Sequence, residues 1–157
     1  MTVRPFRVAL SANFRKPDGS MTYPSFDLSP LTAASGIETR FLSHGDPIRA
    51  QELEDIDALI LLSERFTKNS IPASGKLSVV ARFGVGYDTV DVEACTQNDI
   101  AVCITPDGVR RPVAVSILTL MLALTGKLLI KDRITRQGPD GFAARNEHMG
   151  LGLVGRT

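Results

Sequence analysis

Two glycines in the segment RFGVGYD, residues 82–88, stand where the backbone can hold a small acid. The segment follows a predicted strand, and ligands of open parallel sheets lie outside the carboxyl ends of the strands. Gly84 and Gly86 carry no side chain, so a ligand can approach the main chain closely. Because successive N–H groups in such a turn can hold an anion, the segment predicts a small carboxylate on the N–H groups of Val85 and Gly86. The alternative is a tight strand-to-helix turn that binds nothing.

A second glycine cluster lies near the end of the sequence, where Gly150, Gly152 and Gly155 fit the spacing G-x-G-x-x-G. A dinucleotide-binding turn of this spacing needs an apolar strand directly before it and a helix directly after it. The preceding letters, RNEHM, do not predict a strand, and only two residues follow Gly155. We therefore interpret the three residues as loop glycines rather than as a phosphate-binding turn.

The charged residues near the first glycine cluster have structural interpretations. Arg65 and Arg82 would add positive charge at that edge of the sheet, but each is predicted to be a solvated surface arginine. Asp88 and Asp91 could form a carboxylate pair for acid–base chemistry, yet both stand where a helix begins, which favours turn and capping roles. The sequence shows no complete active site of a common kind, because it has no nucleophile elbow, Walker loop or metal-ligand spacing.

The composition bounds the class of protein. The 157 residues are 43% hydrophobic and carry a net charge of +1, which gives no electrostatic argument for a nucleic-acid or membrane-surface partner. Cys95 and Cys103 match no metal or redox spacing and are predicted to be reduced, buried thiols of a cytoplasmic protein. His44 and His148 have no metal-ligand partner at a suitable spacing. The first ten residues do not have the pattern of a signal peptide.

Short apolar segments alternate with helix signals over the first hundred residues. Ser29-Pro30 and Asp46-Pro47 predict helix starts, and Asp91 is predicted to cap a third helix. This alternation predicts an α/β protein with a flavodoxin-like parallel sheet. The predicted strands are residues 8–10, 37–42, 58–62, 77–81 and 100–104.

The pattern changes after residue 107. Residues 107–112 are predicted to be a turn-rich connector, 112–129 a long apolar helix, and 137–146 a surface loop. We expect the helix to be buried, with one face on its own domain and another on a second body, and to be too short to span a bilayer. The predicted domains are residues 1–108 and the incomplete beginning of a second domain over residues 109–157.

The segment ARFGVGYDTVD (residues 81–91) belongs to a longer pattern. It continues through EACTQNDIAV, then Thr105-Pro106-Asp107, then the helix VAVSILTLMLAL. Over residues 57–157 this order resembles the NAD-dependent D-isomer-specific 2-hydroxyacid dehydrogenases. Two positions depart from the pattern: Ile104 stands where many members have Asn, and Val115 where many have Glu. Neither is a core catalytic position in that family.

The resemblance implies a fold and a set of site residues. It implies a flavodoxin-like substrate-binding domain and a Rossmann nucleotide domain with the active site in the cleft between them. The substrate, a small 2-hydroxy or 2-keto acid, would be held at Gly84, Val85 and Gly86. The cofactor, NAD or NADP, would be touched by Val113, and Thr105 would lie at the cleft. The helix from residue 112 would form a homodimer.

The resemblance also implies what this chain lacks. In the family, the catalytic arginine, glutamate and histidine all follow the nucleotide-binding glycines, which are expected beyond residue 157. We therefore expect the amino-terminal part of an oxidoreductase that is inactive by itself and binds no NAD alone. The alternative is a non-catalytic flavodoxin-like module that binds a carboxylate or a partner protein. The sequence leaves open which hydroxy acid is used and whether the cofactor is NAD or NADP.

Overall fold

A computed structural model describes residues 4–155 and contains one five-stranded parallel sheet. The strand order is β2-β1-β3-β4-β5, which is the flavodoxin-like order. The sequence therefore predicted the fold class correctly, and each predicted strand overlaps a real one. The strands are β1 (Phe6–Leu10), β2 (Ile37–Phe41), β3 (Ala58–Leu61), β4 (Val79–Arg82) and β5 (Ala101–Ile104).

Alternate residues of the central strands build a core on each face of the sheet. The larger cluster includes Ala9, Leu59 and Leu61, all fully buried. The smaller cluster includes Leu10 and Leu62, their neighbours along the chain, which face the other way. This second face is covered largely by the long segment after β1, which the sequence predicted to be a loop and which contains a 3-10 turn at Ala12–Phe14.

The predicted helix start at Ser29-Pro30 is confirmed to within one residue, and the one at Asp46-Pro47 is wrong. The first helix, α1, spans Ser29–Thr32, and its first N–H donates to the side chain of Asp27, so Ser29 lies inside the helix instead of capping it. No helix starts at Pro47, where only a 3-10 turn at Ala50–Leu53 forms. The carboxylate of Asp46 accepts the backbone N–H of Arg65 and its guanidinium instead, so it does not cap a helix.

The predictions for Asp91 and the cysteines had mixed outcomes. Asp91 caps α2 (Val92–Gln97) as predicted, because its carboxylate accepts the N–H of Ala94 at 3.0 Å. Cys95 is buried, and that burial raises the pKa of its thiol. Cys103 is exposed, contrary to the prediction, because it lies on the edge strand β5, where there is no further strand to cover it.

The described chain divides between Pro106 and Asp107 into two compact units. The second unit begins with α3 (Asp107–Thr125), so residues 107–112 are helix rather than the predicted connector. An ion pair of 3.0 Å between Asp107 and Arg110 supports this first turn. Residues 137–146 are not a plain loop either, since they contain a short helix and the start of a 3-10 turn. The remaining elements are α4 (Leu128–Arg136), α5 (Pro139–Ala143) and a 3-10 turn at Ala144–His148.

Helix α3 is not buried as predicted. None of its 19 residues is buried, and apolar side chains such as Leu120 and Leu124 are more than 60% exposed. Within residues 4–155 it is also the one helix whose length and mean hydropathy would allow it to cross a membrane, contrary to our expectation that it is too short. Such a helix needs a partner surface, and the same properties are shared by core helices of water-soluble proteins.

Candidate functional site

The loops that leave β4 and β5 are joined by backbone and side-chain hydrogen bonds. The two strands end side by side, with Arg82 paired to Ile104. The N–H of Gly84 donates to the hydroxyl of Thr105 at 2.8 Å, and the N–H of Thr105 donates to the carbonyl of Gly84 at 2.8 Å. Two of the predicted site residues, Gly84 and Thr105, are therefore in direct contact. Their loops lie side by side at the carboxyl ends of β4 and β5.

Gly84 adopts a conformation that other residues avoid. Its φ is +141°, and a Cβ atom added there would lie 2.5 Å from Nη1 of Arg82. The guanidinium of Arg82 folds back onto the loop and donates to the carbonyl of Phe83. Arg82 is half-buried, so the prediction of a solvated surface arginine is wrong. Its charge lies against the backbone of the glycine loop.

The N–H groups of Val85 and Gly86 have no protein acceptor among the residues that the structure describes. Both residues are exposed, so these two donors are available to a ligand. Residues 87–90 then form a turn that is closed by a hydrogen bond of 2.9 Å from the N–H of Val90 to the carbonyl of Tyr87. Two adjacent free amides beside a guanidinium are an arrangement that can hold a carboxylate.

A polar cluster on the neighbouring strand ends was missed by the sequence analysis. Glu64 is only 4% exposed, and its carboxylate accepts the N–H groups of Asn13 at 2.8 Å and of Ser63 at 3.1 Å. The side-chain amide of Asn13 donates to the hydroxyl of Ser63 at 2.8 Å. The signal that could have found them is their position, because both segments directly follow an apolar strand of the same parallel sheet.

Four aromatic rings gather beside this edge and were also missed. Phe83, the residue before Gly84, lies 5.4 Å from Phe14 and 5.1 Å from Phe26, measured between ring centroids. Tyr23 lies 5.8 Å from Phe83. Phe14 is fully buried, whereas the outer rings of Phe83 and Tyr23 are exposed.

Val113 and the terminal glycines lie in the second unit. Val113 is the seventh residue of α3 and is half exposed. Gly150, Gly152 and Gly155 lie in irregular backbone that follows a 3-10 turn, which confirms that they are loop glycines. The N–H of Leu151, between two of them, donates to the carbonyl of Thr125.

The described residues do not fit a dinucleotide. A dinucleotide site needs a strand, a glycine turn and a helix in direct succession, and residues 107–155 contain helices and turns but no strand. Residues 4–155 also contain no group of three or more histidine, cysteine or acidic side chains that could hold a metal ion. Nucleotide or metal chemistry therefore has no complete site within the part of the chain that the structure describes.

Comparison with known proteins decides the family. Residues 32–115, just over half of the chain, match the family model described as D-isomer specific 2-hydroxyacid dehydrogenase, catalytic domain. The chain belongs to this dehydrogenase family. The matched region runs from α1 to the first half of α3, so it includes the glycine loop and Thr105. It confirms the resemblance that the sequence motifs indicated.

Individual relatives support the same assignment. The chain is 39% identical over 89 residues to a glyoxylate reductase of Thermococcus kodakarensis, which covers 56% of this chain and 27% of that protein. It is 36% identical over 107 residues to the human D-3-phosphoglycerate dehydrogenase, which covers 68% of this chain and 20% of that protein. The chain therefore spans about a quarter of the length of these dehydrogenases.

A solved structure extends the likeness over nearly the whole chain. The NADPH-dependent glyoxylate/hydroxypyruvate reductase of Sinorhizobium meliloti, in complex with NADP and malonate, matches with a TM-score of 0.63 and 25% identity. The match covers 99% of this chain and 45% of that one. The second unit of this chain thus has a counterpart in a complete reductase, as does the sheet.

Proposed function

We propose that the protein is an oxidoreductase that transfers a hydride between a D-2-hydroxy acid and NAD or NADP, and that this chain supplies the part that binds the substrate carboxylate. The observation that carries the proposal is the pair of free N–H groups at Val85 and Gly86. They lie on a glycine loop at the carboxyl end of β4, in a chain that belongs to the dehydrogenase family.

The loop binds and orients the acid in this proposal. The N–H groups of Val85 and Gly86 donate to the carboxylate oxygens, and the guanidinium of Arg82 supplies positive charge beside them. Gly84 itself cannot donate to the ligand, because its N–H is already used by Thr105. The substrate carboxylate is thereby fixed, which sets the position of its second carbon for the reaction.

The cofactor and the chemical step need groups that residues 4–155 do not provide. We propose that Val113 contacts the nicotinamide side of NAD or NADP and that Thr105 is a second cofactor-binding residue. The hydroxyl of Thr105 holds Gly84, so its first role is to position the loop. The general base and the dinucleotide turn would come from other parts of the protein, and we expect no turnover by the 157 residues alone.

We also propose the domain organisation and the assembly. Residues 1–108 would be the substrate-binding domain, and residues 109–157 would begin the nucleotide-binding domain. The exposed apolar side chains of α3 would be covered in a homodimer, since a helix with this much free apolar surface is stable only against a partner.

The second candidate function is a module that binds a carboxylate or a protein partner without chemistry. It is favoured by the fact that the described residues hold a carboxylate loop but no dinucleotide unit. The two candidates differ in one measurable property, because only the dehydrogenase couples the acid to oxidation or reduction of a nicotinamide cofactor.

The deciding experiment is a spectrophotometric assay at 340 nm with the complete gene product, NADH or NADPH, and a panel of 2-oxo acids. The dehydrogenase proposal expects turnover with at least one acid and none from the 157-residue chain. A complete gene product that binds pyruvate but oxidises neither cofactor with any acid would support the module instead.

A further inference from the structure

The aromatic rings beside the glycine loop form a surface with a buried base and an exposed front. Phe14 and Phe26 stack at 4.9 Å with an interplanar angle of 16°, and Phe14 is fully buried. Phe83 makes T-shaped contacts with both of these rings, and Tyr23 packs against Phe83. The front pair, Tyr23 and Phe83, therefore packs on a buried layer and is 44% and 36% exposed, respectively.

This pair lies next to the place where the carboxylate would bind. Phe83 is joined through Gly84 to Val85, whose N–H is one of the two free donors. A 2-hydroxy acid carries its carboxylate and its side chain on the same carbon. With the carboxylate on the loop, the side chain of the acid would begin at the neighbouring carbon, and Phe83 stands two residues before Val85 in the chain.

The charges around the aromatic pair do not suit a second anionic group. The carboxylate of Glu64 is bonded to the N–H of Asn13, next in the chain to Phe14. Arg15 lies over the ring of Phe41 at 3.7 Å, and Arg65 is paired with Asp46 at 3.2 Å. Both arginines are therefore engaged elsewhere.

We propose that Tyr23 and Phe83 receive the side chain of the substrate, and that the substrate is a 2-oxo or 2-hydroxy acid with one negative charge and an apolar, preferably aromatic, side chain. The proposal rests on the proposed function of the glycine loop. An apolar group that covers two preorganised rings gains burial and ring contacts. A phosphate group at the same place would compete with the substrate carboxylate for Arg82, because Arg15 and Arg65 are engaged elsewhere, whereas glyoxylate has no side chain to place there.

The test compares three acids with the complete gene product: phenylpyruvate, glyoxylate and phosphohydroxypyruvate. We expect kcat/KM to be highest for phenylpyruvate. Phe83→Ala should lower kcat/KM for phenylpyruvate about tenfold more than it lowers that for glyoxylate, because only the first acid uses the ring. Phe83→Leu keeps an apolar side chain and therefore protects the fold. It should also lower kcat/KM more for phenylpyruvate than for glyoxylate, but by a smaller factor than Phe83→Ala.

Phe6→Ala is the matched control, because Phe6 is 45% exposed and lies at the amino end of β1, whereas the glycine loop follows the carboxyl end of β4. It should change none of the ratios between acids. A preference for glyoxylate or phosphohydroxypyruvate, or an equal loss for all acids in Phe83→Ala and Phe83→Leu, would overturn this inference and leave the proposed function standing. Absence of turnover with every acid would overturn both.

Discussion

Gly84 and Thr105 hold each other by two hydrogen bonds of 2.8 Å that run in opposite directions across the ends of β4 and β5. The first uses the hydroxyl of Thr105 as acceptor, and the second uses the carbonyl of Gly84. This pair consumes the first N–H of the glycine loop and leaves the next two, at Val85 and Gly86, for a ligand. We therefore expect loop geometry and carboxylate binding to be coupled.

Replacing Thr105 tests that coupling. Thr105→Val removes one of the two acceptors of the Gly84 N–H, the other being the carbonyl of Arg82 at 2.9 Å, but keeps the shape of the side chain, whereas Thr105→Ser keeps both acceptors. We expect Thr105→Val to lower the free energy of unfolding by about 0.5–1.5 kcal/mol and to raise KM for the acid. Urea denaturation and steady-state kinetics measure the two effects. Equal behaviour of Thr105→Val and Thr105→Ser would show that the hydroxyl does not hold the loop.

Gly84→Ala tests the strained conformation of the loop. A φ of +141° is unfavourable for any residue with a Cβ, and the new atom would meet the Arg82 side chain. We expect a loss of about 1–3 kcal/mol in the free energy of unfolding, measured by thermal or urea denaturation. Gly45→Ala is the control, because Gly45 has no positive φ and its Cβ would have its nearest neighbour at 3.9 Å. Equal stability of the two variants would contradict the described geometry.

Acid sensitivity should depend on Asp57. The side-chain hydrogen bond from Arg4 lowers the pKa of Asp57, assisted by the N–H of Arg7, while burial opposes the shift. The unfolded chain titrates near ~3.9. Because the folded pKa lies below that value, the stabilisation is complete above it and is lost as pH falls through the folded pKa.

Asp57→Asn measures this contribution. We expect it to lower the free energy of unfolding at pH 7 by about 1–3 kcal/mol and to flatten the decline of stability below pH ~4. Asp132→Asn is the control, since the pair of Asp132 and Arg136 is exposed and should contribute little. Urea titrations from pH 7 to pH 3 make the comparison. An unchanged pH profile in Asp57→Asn would exclude Asp57 as its source.

The exposed face of α3 should drive association of the 157-residue chain. Leu120 and Leu124 are 63% and 76% exposed, so we expect dimers or larger species in light scattering coupled to size-exclusion chromatography. The double variant Leu120→Lys/Leu124→Lys should shift the chain toward monomer. Val154→Lys, at a residue that is 99% exposed, is the matched control and should not. A monomeric wild-type chain at high micromolar concentration would contradict the proposed role of α3.

Local patterns predicted the sheet because each strand is a short apolar run bounded by turn or helix signals. The helix start predicted at Asp46-Pro47 is wrong because the carboxylate of Asp46 accepts the N–H of Arg65 instead of a helix N–H. The two residues are nineteen positions apart, so no local pattern contains this contact. The sequence predicts a connector over residues 107–112 because glycine and proline, here Gly108 and Pro112, usually interrupt helices. Pro112 nevertheless lies inside α3, near its start.

Local pattern predicted the candidate site only where it is continuous in sequence, whereas Thr105 was named through the family resemblance. Gly84, Val85 and Gly86 form one segment, and its position after a strand indicated a ligand. The contact of Glu64 with Asn13 joins residues 51 apart, and the aromatic cluster joins three separate segments. Such contacts depend on the strand order, which places the ends of β1, β3 and β4 at one edge.

The most direct test of the account is a titration of the ¹⁵N-labelled 157-residue chain with pyruvate, followed by the amide resonances in two-dimensional NMR. The sample is the Leu120→Lys/Leu124→Lys variant, because the more polar surface of α3 should keep the chain monomeric. We predict saturable shifts that are largest at the amides of Val85 and Gly86 and small at Gly152. Unchanged resonances at Val85 and Gly86 at saturating pyruvate, or shifts confined to the terminal glycines, would contradict the assignment of the carboxylate to this loop.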